Sequence, residues 1–115
     1  IHKKLVIDWC VMKIYFIYLT FKSLKEAKKI SSKLVKLKLA ACTNIIPTIY
    51  STYVWKKKTH IDKECSMIIK TSKSKVQKAI IFIKKKHSYE CPEISAFPIQ
   101  KSHKDFEKWI IDQTK

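Results

Sequence analysis

The chain has 115 residues, 46% of them hydrophobic, with 25 basic and 9 acidic side chains and a formal net charge of +16. That is one domain with enough apolar material for a core of its own, which excludes a stapled miniprotein and a multidomain chain. The charge invites an anionic partner, but the lysines are spread along every segment without an Arg-rich block, so a specific nucleic-acid interface is disfavoured.

Residues 1–12 read as an N-terminal extension, either a leader remnant or an extra strand, ahead of a single domain over 13–115. The apolar stretch Leu5–Leu19 is broken by Asp8 and Lys13 and is too short and too charged to span a membrane. Residues 13–20 are aromatic and β-branched on both faces, the pattern of a central, doubly covered strand. Ser23 with Glu26 forms a capping box, and Leu24, Ala27, Ile30, Leu34 and Leu37 set a helix over 23–38. A long strand over 41–55 should bend at Pro47. A polar loop over 56–60 then leads into a returning strand over 61–71, with Cys65, Met67 and Ile69 on one face and Ser66, Ile68 and Lys70 on the other. Ser72 or Ser74 caps a second helix with the stripe Val76, Ala79, Ile80 and Ile83, and Lys84 to Lys86 suit its C-terminal dipole. Residues 93–100 form a short edge strand, limited by Pro92 and interrupted by Pro98. Ser102 and Asp105 cap a last helix that turns Phe106, Trp109 and Ile110 inward.

The order β-α-β-β-α-β plus a terminal helix is the ferredoxin-like α+β arrangement. Both long helices then cover one sheet face. Tyr15, Ile17, Ile46, Tyr53 and Ile68 are assigned to the other, and such an exposed apolar face calls for a partner surface. Closed self-association is the commonest solution, with the long hairpin as an arm that adds strands to a neighbour. Glycine is absent, so the turns must be made by Asn, Ser, Lys, His or Pro. The cysteines at 10, 42, 65 and 91 have no zinc-site spacing. They read as reduced thiols of a cytoplasmic protein, although an upstream leader or an organellar location stays open.

The link from His87 to Ile94 concentrates the chemistry. His87 and Cys91 offer a soft imidazole–thiol pair for copper or another divalent metal, with Glu90 as a third donor. The plainer reading makes His87 a capping or solvated side chain beside three lysines. Tyr89, Glu90 and Glu93 form either an acid–base group or carboxylates that pair with Lys70. No nucleophile has a base beside it, and a glycine-free chain has no phosphate-cradling loop, so catalysis is not expected. Trp55 anchors an interface or walls an inter-subunit cleft; Lys70 and Thr71 would line that cleft and hold a small anion. Cys42, Pro47 and Pro92 are assigned structural roles.

Four segments also carry a resemblance. Leu39-Ala-Ala-Cys42-Thr-Asn-Ile-Ile-Pro47 looks like an L-A-A-C-x-N-I-x-P element, and Tyr53-Val-Trp55 with Lys57 looks like a Y-x-W-x-x-K/E turn. Glu64-Cys-Ser-Met-Ile-Ile-Lys70-Thr71 matches E-x-x-L-x-x-K-T, and His87-Ser-Tyr89-Glu90-Cys-Pro92-Glu93-Ile94 matches H-P-Y-x-x-P-E-I. Together, over 13–112, they resemble CutA, the divalent-cation tolerance family. The resemblance implies a ferredoxin-like subunit, a homotrimer, a design similar to PII-type signalling proteins, and a link to copper and other divalent metals. Its departures bear on the metal: the bacterial first-strand cysteine corresponds to Leu19, and one of the paired histidines to Lys86 beside His87. Ser88 replaces a proline, and lysine follows Trp55 where glycine is usual. The reading is a non-enzymatic trimer that binds a divalent metal or a small ligand between subunits, in metal homeostasis or signalling. The alternatives are a trimeric scaffold that docks other proteins and, behind it, charge-driven nucleic-acid binding.

Overall fold

A computed structural model describes residues 12–115; the N-terminal extension thus lies, except for Met12, outside the described residues. Four antiparallel strands and three helices follow in the order β1 (Ile14–Phe21), α1 (Leu24–Lys36), β2 (Cys42–Trp55), β3 (Lys58–Ser72), α2 (Val76–Lys86), β4 (Ile94–Pro98) and α3 (Lys104–Gln113). The sheet order β2-β3-β1-β4 puts the two strands richest in core residues at the centre. That is the ferredoxin-like order expected from the element pattern. Among the described residues no helix is long and apolar enough to cross a membrane.

The core lies between one sheet face and two helices. Ile17, Leu19 and Phe21 of β1 and Cys65, Met67 and Ile69 of β3 pack under Ala27, Ile30 and Leu34 of α1 and Ala79 and Ile83 of α2. These are the stripes that helical spacing sets aside in the sequence, except that Leu37 at the end of α1 is exposed, as is Trp109 on α3. Ser23 caps α1, its Oγ accepting from the Glu26 N–H at 3.2 Å. Only half of the capping box is made, since Glu26 Oε1 is buried without a partner. The caps expected of Ser72, Ser74, Ser102 and Asp105 are not used. A short 3₁₀ turn, Lys73–Lys75, leads into α2 without a side-chain cap, and His103 caps α3, its Nδ1 accepting from the Asp105 N–H at 3.3 Å.

The open face needs one correction. Ile17 is fully buried under the helices, and Tyr15 shares its parity. The open face is instead built on Phe16, Tyr18 and Thr20, which pair with Lys70, Ile68 and Ser66. A strand apolar on both faces lacks the alternation that would fix its parity, and a one-residue slip exchanges the faces. α3 roofs only one end, where Ile110 packs on Ile14 and Ala41. Lys70 sits there with its Nζ 5.4 Å from the Phe16 ring and 5.7 Å from the Phe106 ring.

β2 bends where proline predicts. The register with β3 shifts between Ile46 and Ile49, and Cys65 Sγ donates to the freed Pro47 carbonyl at 3.0 Å. The loop expected over 56–60 is shorter, because Trp55 pairs with Lys58 and only Lys56 and Lys57 turn the chain. Both have positive φ, 50° and 64°, the pair that a type I′ hairpin turn requires. Lys38 is the third such residue (φ 59°). It closes α1 in a Schellman motif, with Leu39 N–H bonded to Leu34 C=O at 2.9 Å and Lys38 N–H to Val35 C=O at 3.1 Å. Lysine thus stands at three left-handed positions where glycine is the default.

A left-handed lysine costs about 1–2 kcal/mol, of which the greater chain entropy of glycine would return about 0.5–1 kcal/mol. Lys57→Gly is therefore expected to stabilise the protein by about 0.5–1 kcal/mol, read as a raised denaturation midpoint. A lowered midpoint would contradict the strained turn.

Candidate functional site

β3 outruns its central partner. β1 pairs only with Cys65–Ser72, so residues 58–64 have β2 alone and project with it as a two-stranded arm. Strand alternation places His60, Asp62 and Glu64 on the open side of that arm, across from Tyr53, Ser51 and Ile49. The link 87–93, between α2 and β4, returns to the same place. Together they frame a cleft of about 600 Å³ lined by Thr20, Lys22, Tyr53, Asp62, Lys63, Glu64, Tyr89, Cys91 and Glu93.

Two residues hold the link in position. His87 caps the end of α2 and is buried, its ring stacked on Phe21 with centroids 4.7 Å apart. Its Nε2–H donates to the Thr20 carbonyl at 2.7 Å, and its Nδ1 accepts from the Tyr89 N–H at 3.0 Å. Tyr89 then reaches across the cleft, its hydroxyl donating to Glu64 Oε1 at 2.7 Å. The other carboxylate oxygen of Glu64 accepts from Ser51, and Asp62 accepts from Tyr53. Glu64 therefore joins β2, β3 and the link at a single carboxylate. Burial, followed by the hydrogen bond to Glu64, pushes the Tyr89 phenol well above its ordinary value. The Tyr53 phenol is raised chiefly by its bond to Asp62.

The residues nominated from the sequence divide. Tyr89, Cys91 and Glu93 meet in the cleft, while Glu90 is exposed on the link. His87, Cys91 and Glu90 do not gather as a ligand set. Both ring nitrogens of His87 are engaged, and no group of three or more His, Cys, Asp or Glu that could hold a metal ion is present among the described residues. Lys70 is at the far end of the sheet, under α3. Thr71 is buried, its hydroxyl donating to the Leu39 carbonyl at 2.7 Å. Trp55 is 61% exposed at the tip of the arm. Cys42 is half-buried, and burial raises its thiol against the opposing pull of Lys70. Pro47 marks the bulge, and Pro92 is half-buried in the link.

Asp62 escaped the sequence reading, Tyr53 entered it as an open-face and motif residue without a role in the cleft, and Glu64 entered it only as part of a motif. A signal was present: His60, Asp62 and Glu64 recur with period two on a strand, which aligns them on one face.

Such a subunit is a small ferredoxin-like protein that carries its polar cleft on the open side of the sheet, beside a projecting hairpin. Comparison with known proteins narrows that class. The family described as CutA1 divalent ion tolerance protein matches residues 15–113. A divalent-cation tolerance protein CutA of Archaeoglobus fulgidus is 43% identical over 99 residues, covering 86% of this chain and 95% of that one. A CutA homolog of Xenopus laevis is 40% identical over 83% of this chain, which spans 63% of the frog protein. The crystal structure of the divalent ion tolerance protein CutA1 from Ehrlichia chaffeensis aligns with a TM-score of 0.87 at 34% identity, covering 91% of this chain and 98% of that one. The chain belongs to the CutA1 divalent ion tolerance family.

His87→Ala removes two hydrogen bonds and a ring contact at a buried position, and is expected to cost about 2–4 kcal/mol in chemical denaturation. A loss under about 0.5 kcal/mol, typical of surface changes, would show that His87 does not hold the link. Tyr89 adds a pH signature. Its folded value lies above the unfolded value of about 10, so its stabilisation is complete below that pH and is lost as pH rises beyond it. Tyr89→Phe is expected to flatten the decline in stability above about pH 10, and an unchanged slope would rule out the Glu64 bond as its source.

Proposed function

We propose that the protein serves divalent-ion tolerance as a non-enzymatic homotrimer that binds its ligand in clefts completed between copies. The observation that carries this reading is the bare hairpin arm. Tyr50, Val54 and Ile61 are 71%, 69% and 66% exposed on one side of it, and β2 runs along the outer edge of the sheet with its backbone unpaired on that side. An edge strand of 14 residues carrying large apolar groups invites strand pairing. A neighbouring copy would cover it and would bring its own arm against the cleft.

The cleft favours binding over catalysis. Its phenols are tied to carboxylates, the His87 ring is spent on backbone groups, and His60 stacks on Tyr53. A divalent cation, taken as cargo, would meet Asp62, Glu64 and Glu93 as hard donors and Cys91 as a soft one. The full ligand set then needs side chains from a second copy. Copper is the ion that would use Cys91. Lys22 and Lys63 on the same rim give a small anionic ligand a foothold, and this favours a PII-like sensor as the second reading. The unbridged thiols of Cys42, Cys65 and Cys91 suit a reducing, cytoplasmic setting.

The mass in light scattering tests the assembly. Three copies are expected, and Val54→Lys with Ile61→Lys should lower the mass to that of one copy. A wild-type monomer at micromolar concentration defeats the proposal. Calorimetric titration with copper and zinc tests the cargo. Cys91→Ser and Glu93→Gln should each weaken binding about tenfold, one ligand of several being lost, while Glu90→Gln, on the same link but outside the cleft, leaves the affinity unchanged. An affinity that falls only with His87→Ala would move the cation to that ring.

A further inference from the structure

Folding sorts the charges that the linear sequence scatters. α1 and α2 carry nine lysines and one acidic residue, Glu26. On α3, by contrast, Lys104 and Lys108 alternate with Asp105, Glu107 and Asp112, and the arm and link hold the carboxylates of the cleft. Because α1 and α2 both pack on the same sheet face, their polar sides form one continuous outer layer. Eight of its nine lysines are exposed and Lys33 is half-exposed.

Within that layer the start of α1 and the end of α2 enclose a groove of about 360 Å³, lined by Ser23, Lys25, Glu26, Lys29, Ile30, Lys33 and Lys86. Lys25, Lys29 and Lys33 recur every four residues, which sets their ammonium groups along a stripe at steps of about 6 Å. Lys86 faces them from the other helix. Four cations around one concave strip, with a single carboxylate among them, form an electrostatic site for a chain of phosphates.

We propose that this helical layer docks the phosphate backbone of duplex nucleic acid, without regard to sequence. Lysine binds phosphate as a point charge, and the chain has no arginine, whose rigid fork is the better reader of guanine. A single strand is disfavoured, because stacking platforms need exposed aromatic rings. The exposed large hydrophobic side chains of α1 and α2 are Val35 and Ile81. The same lack of exposed tryptophan and phenylalanine, and the concavity of the groove, count against a flat lipid surface. The layer lies on the sheet face opposite the open one, so a copy seated on the open face leaves it accessible. The inference is independent of any cation in the cleft.

The test is anisotropy of a short labelled duplex of arbitrary sequence. Four phosphate contacts imply an affinity that falls about a hundredfold between about 50 and 200 mM salt. Replacing Lys25, Lys29 and Lys33 with glutamine preserves helix propensity; it should weaken binding at least about tenfold and flatten the salt slope by about 3. The matched control replaces Lys101, Lys104 and Lys108, which removes equal charge elsewhere and should change affinity less than about twofold. Equal losses in both variants would overturn the proposal in favour of diffuse net charge. No binding of the wild type at about 50 mM salt overturns it outright, and tighter binding to phosphatidylserine vesicles than to the duplex overturns it in favour of a membrane. Should the α1 variant not fold, Lys86→Gln carries the same expectation from α2, at about one-third the change in slope.

Discussion

A mismatch of strand lengths governs this molecule. β3 has 15 residues and its central partner β1 has 8, so the two cannot be matched along their whole length. The paired half, Cys65–Ser72, lies over the core and is buried on its helix side. The unpaired half has β2 alone and projects as an arm with both faces in solvent. A two-stranded ribbon without a third strand or a packed face is marginal in water. The arm therefore depends on what crosses it locally and on whatever covers it from outside.

Locally, the crossing is made by polar groups. Glu64 stands where the arm leaves the sheet, and it accepts from Ser51 within the hairpin and from Tyr89 of the link. His87 holds Tyr89 in reach by bonding both the end of β1 and the Tyr89 amide. The order of causes runs from a buried imidazole, through a fixed loop, to a phenol that fastens the root of the arm. The residue types that could serve catalysis are thereby engaged in structure. What remains free at the cleft is carboxylate, thiol and ammonium, which is chemistry for holding ions.

Most of the fold was legible in the sequence because its signals are periodic. The stripes Ala27, Ile30, Leu34 and Ala79, Ile83 predict the two helices and the face they bury. Pro47 predicts a bend because proline cannot donate to a ladder, and the register shifts there. The parity of β1 was not legible. Tyr15, Phe16, Ile17 and Tyr18 are all apolar enough for either face, and only pairing with β3 decides between them. The cleft was half legible. Tyr89, Cys91 and Glu93 stood out as a dense local cluster, whereas Asp62 and Glu64 join them only through the pairing of distant strands. His87 stayed open between two readings for a physical reason: imidazole suits a metal and a buried cap equally well, and composition does not reveal burial.

A strongly cationic protein in a divalent-ion tolerance family presents an electrostatic difficulty, and the sorting of charge relieves it. Screening confines a surface charge to about 8 Å at physiological ionic strength. Successive lysines of the α1 stripe stand about 6 Å apart, so Lys33 lies about 12 Å along the axis from Lys25. Only charges within that range of Glu64 act on an ion held there. Lys22 and Lys63 remain close enough to act there, since both line the cleft. The local balance around Asp62, Glu64 and Glu93 thus decides the sign of what enters, and the net charge of +16 does not. A second subunit that brought a carboxylate to this rim would tip the balance toward cations, and one that brought a lysine would tip it toward anions. If copies associate as proposed, the cargo of the cleft becomes a property of the assembly, set by the side chains that the neighbouring arm would present.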